Sequence, residues 1–254
     1  MLLAIDVGNT ETHIGLFDEQ VLEKDWRLAT HPVRTPDEYA HKMADYLKDA
    51  NAGREDLQGL VLGSVVPAAT SSLEEMATLW LHKSPVTVSH LVKMPIEICV
   101  KDPKQVGADR IANAVAGSLW RDPPVIVVDL GTATTFDVVG RGARYLGGVI
   151  CPGVMTSVED LVRRTAKLPS VEVREPARVI GGDTEECMQS GIVFGTADQI
   201  DGLVGRIWEE LEEKCPVVLT GGWAPSIAPF CKTVDDVDRH LTLKGLKVLF
   251  DQNQ

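Results

Sequence analysis

Apolar positions along the chain follow two alternating rhythms. Leu2-Leu-Ala-Ile-Asp6 is a short apolar run ending at a glycine turn, and Thr12–Phe17 and Val21–Leu28 read as its antiparallel neighbours. Thr35-Pro-Asp-Glu38 has the composition of a helix start, with Tyr39, Met43, Tyr46 and Leu47 at helical spacing behind it. Leu57–Val66 has the pattern of a buried strand that stops at Pro67, and a second helix is expected from there to Leu81. The opening order is therefore β-β-β-α-β-α, not the strict alternation of a dinucleotide-binding fold.

The pattern then restarts. After the loop Lys101–Gln105, a helix is expected over Val106–Leu119, with Ala108, Ala112 and Ala116 on one stripe that lets a backbone come close. Val125-Ile-Val-Val-Asp129 repeats the apolar run ending in aspartate, and Gly131–Phe136 repeats the turn and return strand. A third strand over Arg144–Ile150 and a helix over Val154–Ala166 follow. The long stretch Thr184–Glu213 carries Val193, Ala197, Ile200, Val204, Ile207 and Leu211 at helical spacing, and Pro216–Thr220 is a last buried strand before Gly221-Gly222. An offset of 123 residues, Asp6 to Asp129, marks an internal duplication. We expect two α/β halves, 1–104 and 105–254, with the C-terminal helix free to pack back on the first.

Composition narrows the class. The chain has 254 residues, 44% hydrophobic and 24% charged, which supports a sizeable core and excludes wholesale disorder. A net charge of −12 opposes binding to nucleic acid or to anionic membranes, so neither is expected as a partner. An anionic substrate must then be held by backbone amides, metal ions or a few local cations. The start lacks a basic leader and no apolar run is long enough to span a bilayer. Cys99, Cys151, Cys187, Cys215 and Cys231 include no C-x-x-C pair and read as buried structural thiols of a reduced compartment. Together these point to a cytoplasmic protein. The scattered histidines show no ligand spacing, which argues against zinc.

Three local motifs carry candidate chemistry. Asp6-Val-Gly-Asn-Thr10 ends a strand with a tight turn whose amides suit phosphate oxygens and whose aspartate suits Mg²⁺; an ordinary hairpin turn reads the same way. The recurrence of Asp-x-Gly-Thr at Asp129–Thr132 shifts the balance, because two such hairpins can clasp a nucleotide triphosphate. Gly221-Gly222, after a buried strand, lets backbone pack against a base, and no P-loop sequence is present. This is the layout of two duplicated ribonuclease-H-like, actin-like ATPase domains facing across a nucleotide cleft, as in the actin, sugar-kinase and Hsp70 superfamily. Gly107-Ala-Asp-Arg110 adds an aspartate able to take an alcohol proton and an arginine able to pair with a carboxylate. The plain alternative for Asp109 is a first-turn residue that suits the helix dipole.

The chain resembles the type III pantothenate kinases over essentially its whole length. The matching stretches are Asp6–Thr10, Ser64–Pro67, Val106–Ala114, Asp129–Thr135, Gly147–Gly153, Ala166–Pro169, Met188–Gly191, Thr220–Gly222 and Leu241–Leu246. The resemblance implies ATP-dependent phosphorylation of pantothenate, with Asp109 as general base and Gly107, Ala108 and Arg110 as substrate contacts. It implies that Asp6, Val7, Gly8, Asn9, Thr10, Glu11, Thr12 and His13 wrap the ATP phosphates and that Thr132 touches ATP from the other side. Asp129 would hold a K⁺ or NH₄⁺ ion, Asp6 a Mg²⁺ ion, and Thr184 would contact substrate in a homodimer.

This chain departs from the family pattern at several places. Val100 stands where the family has a substrate-contacting tyrosine, and Ser89–Pro95 replaces a glycine-rich stretch. Glu11 puts a carboxylate beside the phosphate turn, and Trp223 replaces a smaller apolar residue. The ATP half therefore reads as intact and the acceptor half as altered. A same-fold kinase for another small hydroxylated acid, a non-catalytic regulatory relative and a phosphatase of the same superfamily remain open on these residues.

Overall fold

Every residue from Met1 to Gln254 is described in a computed structural model of the chain. It forms two compact units, one of Met1–Ala116 with Leu241–Gln254 and one of Gly117–His240. The first contains β1 (Leu2–Val7), β2 (Glu11–Asp18), β3 (Val21–Ala29), β4 (Gly59–Ser64) and the short β5 (Val86–Thr87), in the order β3-β2-β1-β4-β5. β1 runs antiparallel to β2 and parallel to β4, which sets Asp6 opposite His13 on one side and Gly63 on the other.

Helix α1 (Pro36–Asp49) begins with a capping box. The Glu38 amide donates to Thr35 Oγ1 and the Thr35 amide donates to the Glu38 carboxylate at 2.8 Å. That backbone bond, with help from the Thr35 hydroxyl, holds the Glu38 carboxyl below its usual range. Tyr39, Met43 and Leu47 of α1 pack with Leu3, Ile5, Leu60 and Leu62 of the sheet and with Leu73 and Met76 of α2 (Pro67–Met76). The helical run expected to Leu81 does reach it, but its last turn, Ala77–Leu81, is a π turn. After the two-residue β6 (Glu97–Ile98), helix α3 spans Ala108–Trp120, so Gly107 precedes the helix and does not lie within it.

The second unit repeats the topology. β7 (Val125–Leu130), β8 (Ala133–Gly140), β9 (Arg144–Pro152), β10 (Val217–Thr220) and β11 (Asp236–Val237) run in the order β11-β10-β7-β8-β9, the same succession as β5-β4-β1-β2-β3. β7 is parallel to β10 and antiparallel to β8, so Asp129 lies opposite Thr220 and Thr135. Helix α4 spans Val154–Arg164 and α5 spans Thr184–Leu211, where Glu212 in a left-handed conformation ends the run. Val193, Ala197, Ile200 and Val204 of α5 bury against Ile126, Val128, Leu130 and Phe136, as their spacing required. A short α6 (Ala224–Ile227) follows β10.

Helix α7 (Leu241–Gln252) belongs to the first unit and packs on β1, β2 and β4. Its Leu243, Leu246 and Phe250 reach to within about 3 Å of where side chains on Gly15, Gly63 and Gly59 would begin. These glycines alternate with the core residues Ile14, Leu16, Leu60 and Leu62, so α7 covers the opposite face of the sheet. The units therefore divide at Ala116/Gly117, not after residue 104, and 241–254 joins the first range. The physical reason is that α3 lies backbone to backbone on α7: a Cβ at Gly245 would overlap the Ala112 carbonyl oxygen.

The reading of all five cysteines as buried thiols needs one correction. Cys215 is buried and Cys99, Cys151 and Cys231 are half-buried, but Cys187 is exposed on the first turns of α5. Burial pushes the Cys215 thiol up to about 11 and the Cys231 thiol up to about 12, so both stay protonated at neutral pH.

Candidate active site

The first hairpin joins β1 to β2 through Gly8-Asn9-Thr10. Its Gly8 amide donates to the Glu11 carbonyl at 3.0 Å, which closes the turn. Thr30 braces the turn from β3's far end: its hydroxyl donates to the Gly8 carbonyl at 2.8 Å and its amide to the Thr10 carbonyl at 3.0 Å. The Gly8 amide is thus used within the hairpin, and the exposed residues at the tip are Asn9 and Thr10. Asp6 is half-buried at the end of β1. His13, directly opposite it, is buried with Nε2 2.7 Å from Asp25 Oδ2. Val7 and Thr12 are buried as well, so only part of the Asp6–His13 stretch can meet a ligand.

Glu11 does not bring an uncompensated charge to this turn. Its carboxylate is ion-paired with Arg27, one strand away on β3. Neither Arg27 nor Asp25 stands out in the sequence, because both gain meaning only from the β2–β3 register, which places Arg27 opposite His13.

Asp109 lies in the first turn of α3, whose first hydrogen bond runs from the Ile111 amide to the Gly107 carbonyl at 3.0 Å. Asp109 Oδ1 accepts the Arg110 amide at 2.8 Å. The positive end of the helix dipole suits a carboxylate here, so the structural and the catalytic readings of this residue coincide. Ala108 is buried, and Gly107, Asp109 and Arg110 are half-buried. Upstream, half-buried Val100 precedes a loop that Asp102 caps by accepting the Lys104 amide at 3.2 Å.

In the second unit the turn after Asp129 is one residue tighter, with the Gly131 amide donating to the Ala133 carbonyl at 3.1 Å. Thr132 is exposed at its tip, and its carbonyl accepts the Thr156 hydroxyl at 2.7 Å. Gly153 approaches so closely that any side chain there would strike the Gly131 and Thr132 carbonyls. Gly221, at φ +90, comes equally near Asp129: a Cβ would sit 2.5 Å from Asp129 Oδ1. Gly153 lies inside a motif matched in the sequence, but nothing in its immediate neighbours announces this contact.

A cavity of about 780 Å³ opens beside this hairpin between α4 and the first half of α5. Thr184, the first residue of α5, lies on its wall behind the Asp183 cap, with Thr134 and Gln199. Thr134 Oγ1 is buried and has no hydrogen-bond partner in the chain.

The donor chemistry fits hard cations. Asp6 and Asp129 are each a half-buried carboxylate at a strand end, the kind of oxygen ligand that Mg²⁺ and alkali cations take. Gly221 packs so closely on Asp129 that a side chain there would press on its carboxylate.

A family model for the type III pantothenate kinases matches residues 2–206. The chain is 44% identical to the type III pantothenate kinase of Exiguobacterium sibiricum over 254 residues, covering all of both chains. It is 42% identical to that of Halalkalibacterium halodurans over 253 residues, again with full coverage of both.

The chain belongs to the type III pantothenate kinase family.

Solved structures agree on the fold. Component A of the (R)-2-hydroxyglutaryl-CoA dehydratase of Acidaminococcus fermentans superposes with a TM-score of 0.60 at 15% identity, covering 100% of this chain and 99% of that one. A ROK hexokinase from Thermus thermophilus gives 0.54 at 14% identity, covering 98% and 97%. The duplicated ribonuclease-H-like, actin-like architecture expected from the paired motifs is therefore the one adopted.

Within this family of kinases the departures take a physical form. Val100 is half-buried and aliphatic. The Ser89–Pro95 loop is ordered by the Val92 amide, which donates to the Ser89 carbonyl at 3.3 Å, and carries Leu91 almost fully exposed. Trp223 is half-buried against the core of the second unit beside Gly222, where a Cβ would meet nothing within 4 Å.

Proposed function

We propose that this chain transfers the γ-phosphoryl group of ATP to the 4′-hydroxyl of pantothenate, the first step toward coenzyme A, and that it works in the cytoplasm as a homodimer. The observation that carries this reading is the setting of Asp109 at the start of α3, in a chain related along its full length to the type III pantothenate kinases.

Transfer of a phosphoryl group demands position more than covalent chemistry. The Arg110 amide holds Asp109 Oδ1 and so orients the carboxylate, leaving Oδ2 to accept the hydroxyl proton as the oxygen–phosphorus bond forms. Arg110 pairs with the acceptor's carboxylate, and the backbone of Gly107 and Ala108 lies along it. The hairpin residues Asp6 to His13 and Thr132 take the ATP phosphates, chiefly through the exposed tips at Asn9, Thr10 and Thr132. Mg²⁺ at Asp6 and K⁺ or NH₄⁺ at Asp129 supply charge neutralisation when bound. Thr184 serves as an acceptor contact near the dimer interface. The homodimer reading is supported on α5 at exposed Gly202, off the cavity wall, where an added side chain would meet nothing within 4 Å.

Val100 favours a second reading, in which the acceptor is another small hydroxylated acid that prefers an aliphatic wall. One experiment separates the two. Purified protein is incubated with Mg-ATP, K⁺ and pantothenate, and 4′-phosphopantothenate is sought by mass spectrometry, with Asp109→Asn alongside. We expect product from the wild type and none from the variant, which still binds ATP. A fully active Asp109→Asn protein removes the base assignment. ATP binding without product moves the acceptor to other hydroxy acids, and loss of both supports a regulatory role.

A further inference from the structure

Two of the motifs shared with the family stand far apart in sequence, and the chemistry above uses only the first. Val106–Ala114 carries the base, whereas Leu241–Leu246 has no part in it. They meet where α3 lies on α7. Thr242 Oγ1 donates to Asn113 Oδ1 at 2.8 Å, with both residues buried. Asn113 is one helical turn beyond Asp109. The adjoining contact of Gly245 with the Ala112 carbonyl leaves α3 no room to slide toward α7.

The end of the same helix holds a second point. Just past α7, Asn253 Oδ1 accepts the Lys93 amide at 2.9 Å, while its Nδ2 donates to the Lys93 carbonyl at 2.8 Å and to the Leu249 carbonyl at 2.7 Å. Between Lys93 and Asn113 lie Val100, Gly107, Ala108, Asp109 and Arg110, all the first-unit residues assigned to the acceptor. α7 is itself keyed to the sheet by Leu243, Leu246 and Phe250 and pinned to the β2–β3 turn, where Gln20 Nε2 donates to Asp251 at 3.3 Å.

We propose that α7 is a clamp that positions the acceptor segment, gripping it at Asn113 through Thr242 and Gly245 and at Lys93 through Asn253. This rests on the reading of Asp109 as the base. Thr242, Gly245 and Asn253 touch neither substrate; they act through the placement of Asp109 and of the strand-to-helix segment before it. Small displacements of a reacting group are costly, so a loosened clamp costs turnover before it costs folding.

The test uses the full chain with Thr242→Val, Thr242→Ser and Asn253→Ala. Thr242→Val keeps the shape and removes the hydroxyl. It should lower kcat on pantothenate by about tenfold with KM for ATP within about twofold, and Thr242→Ser should recover most of the loss. Asn253→Ala should raise KM for pantothenate severalfold at little cost in kcat. Amide hydrogen exchange gives an independent reading: Thr242→Val should speed exchange across residues 106–112 and leave β7 and β8 unchanged. Wild-type kinetics and exchange in both Thr242→Val and Asn253→Ala overturn the clamp, as does a parallel rise in KM for ATP. Should Thr242→Val not fold, Asn253→Ala decides on the same measurements. A wild type that makes no phosphopantothenate overturns the base assignment instead, and the exchange data still judge the clamp.

Discussion

The carboxylate of Asp109 lies over Gly107, with Oδ1 in the space that a Cβ at residue 107 would fill. The same oxygen accepts the Arg110 amide at 2.8 Å, a placement that the bond holds and the absent side chain at residue 107 permits. A glycine two residues before the proposed base thus leaves the space that its carboxylate occupies.

Gly107→Ala should therefore swing the carboxylate away while leaving the fold intact, because the atom displaced is the end of a mobile side chain. We expect kcat to fall by roughly 10- to 100-fold, the scale on which misplaced groups lose rate. Steady-state kinetics check this, with binding of an ATP analogue followed by thermal shift as the control. Unchanged kcat would mean that the carboxylate reaches its working position from elsewhere.

Gly221 stands in the same relation to Asp129, but there the backbone is also left-handed. Gly221→Ala should cost about 1–2 kcal/mol of stability from that conformation alone. It should also press on the proposed cation ligand, so that more K⁺ is needed for half-maximal activity. Thermal melts and a K⁺ titration measure the two effects, and Asp129→Asn should weaken the K⁺ response outright. A K⁺ response identical to wild type in both variants would take the monovalent ion away from Asp129.

The open side of α5 makes a prediction about assembly. Gly202 is exposed and lies on neither the cavity wall nor a hairpin, and a Cβ there would meet nothing within 4 Å. Gly202→Phe should fold normally and sediment as a monomer, whereas the wild type should sediment as the proposed dimer. Activity should fall with the dimer if Thr184 serves a shared site. A monomeric wild type at micromolar concentration removes the homodimer.

Much of this was legible in the sequence because it is local. Continuous apolar runs ending in aspartate marked β1 and β7, and their offset of 123 residues announced a duplication that the matching strand orders display. The helical stripe from Val193 to Val204 and the Thr35–Glu38 cap followed from spacing alone. Asp109 was visible as a first-turn carboxylate, since a helix start is written in a few neighbouring residues. The family, too, was recognisable from short motifs in the right order.

Other features depended on which distant segments the chain brings together. The ion pair of Glu11 with Arg27 needed the β2–β3 register, and the seating of Gly221 on Asp129 needed β10 to lie beside β7. That the Gly8 amide is used within its own turn, on the Glu11 carbonyl, needed the closed hairpin. The return of α7 to the first unit moved the domain boundary and paired Thr242 with Asn113, 129 residues away. Side-chain periodicity is a property of a few consecutive residues, so it survives in the sequence. Contacts closed over long loops exist only once hydrophobic burial has offset the entropy of bringing their ends together, and so the tertiary structure alone decided them.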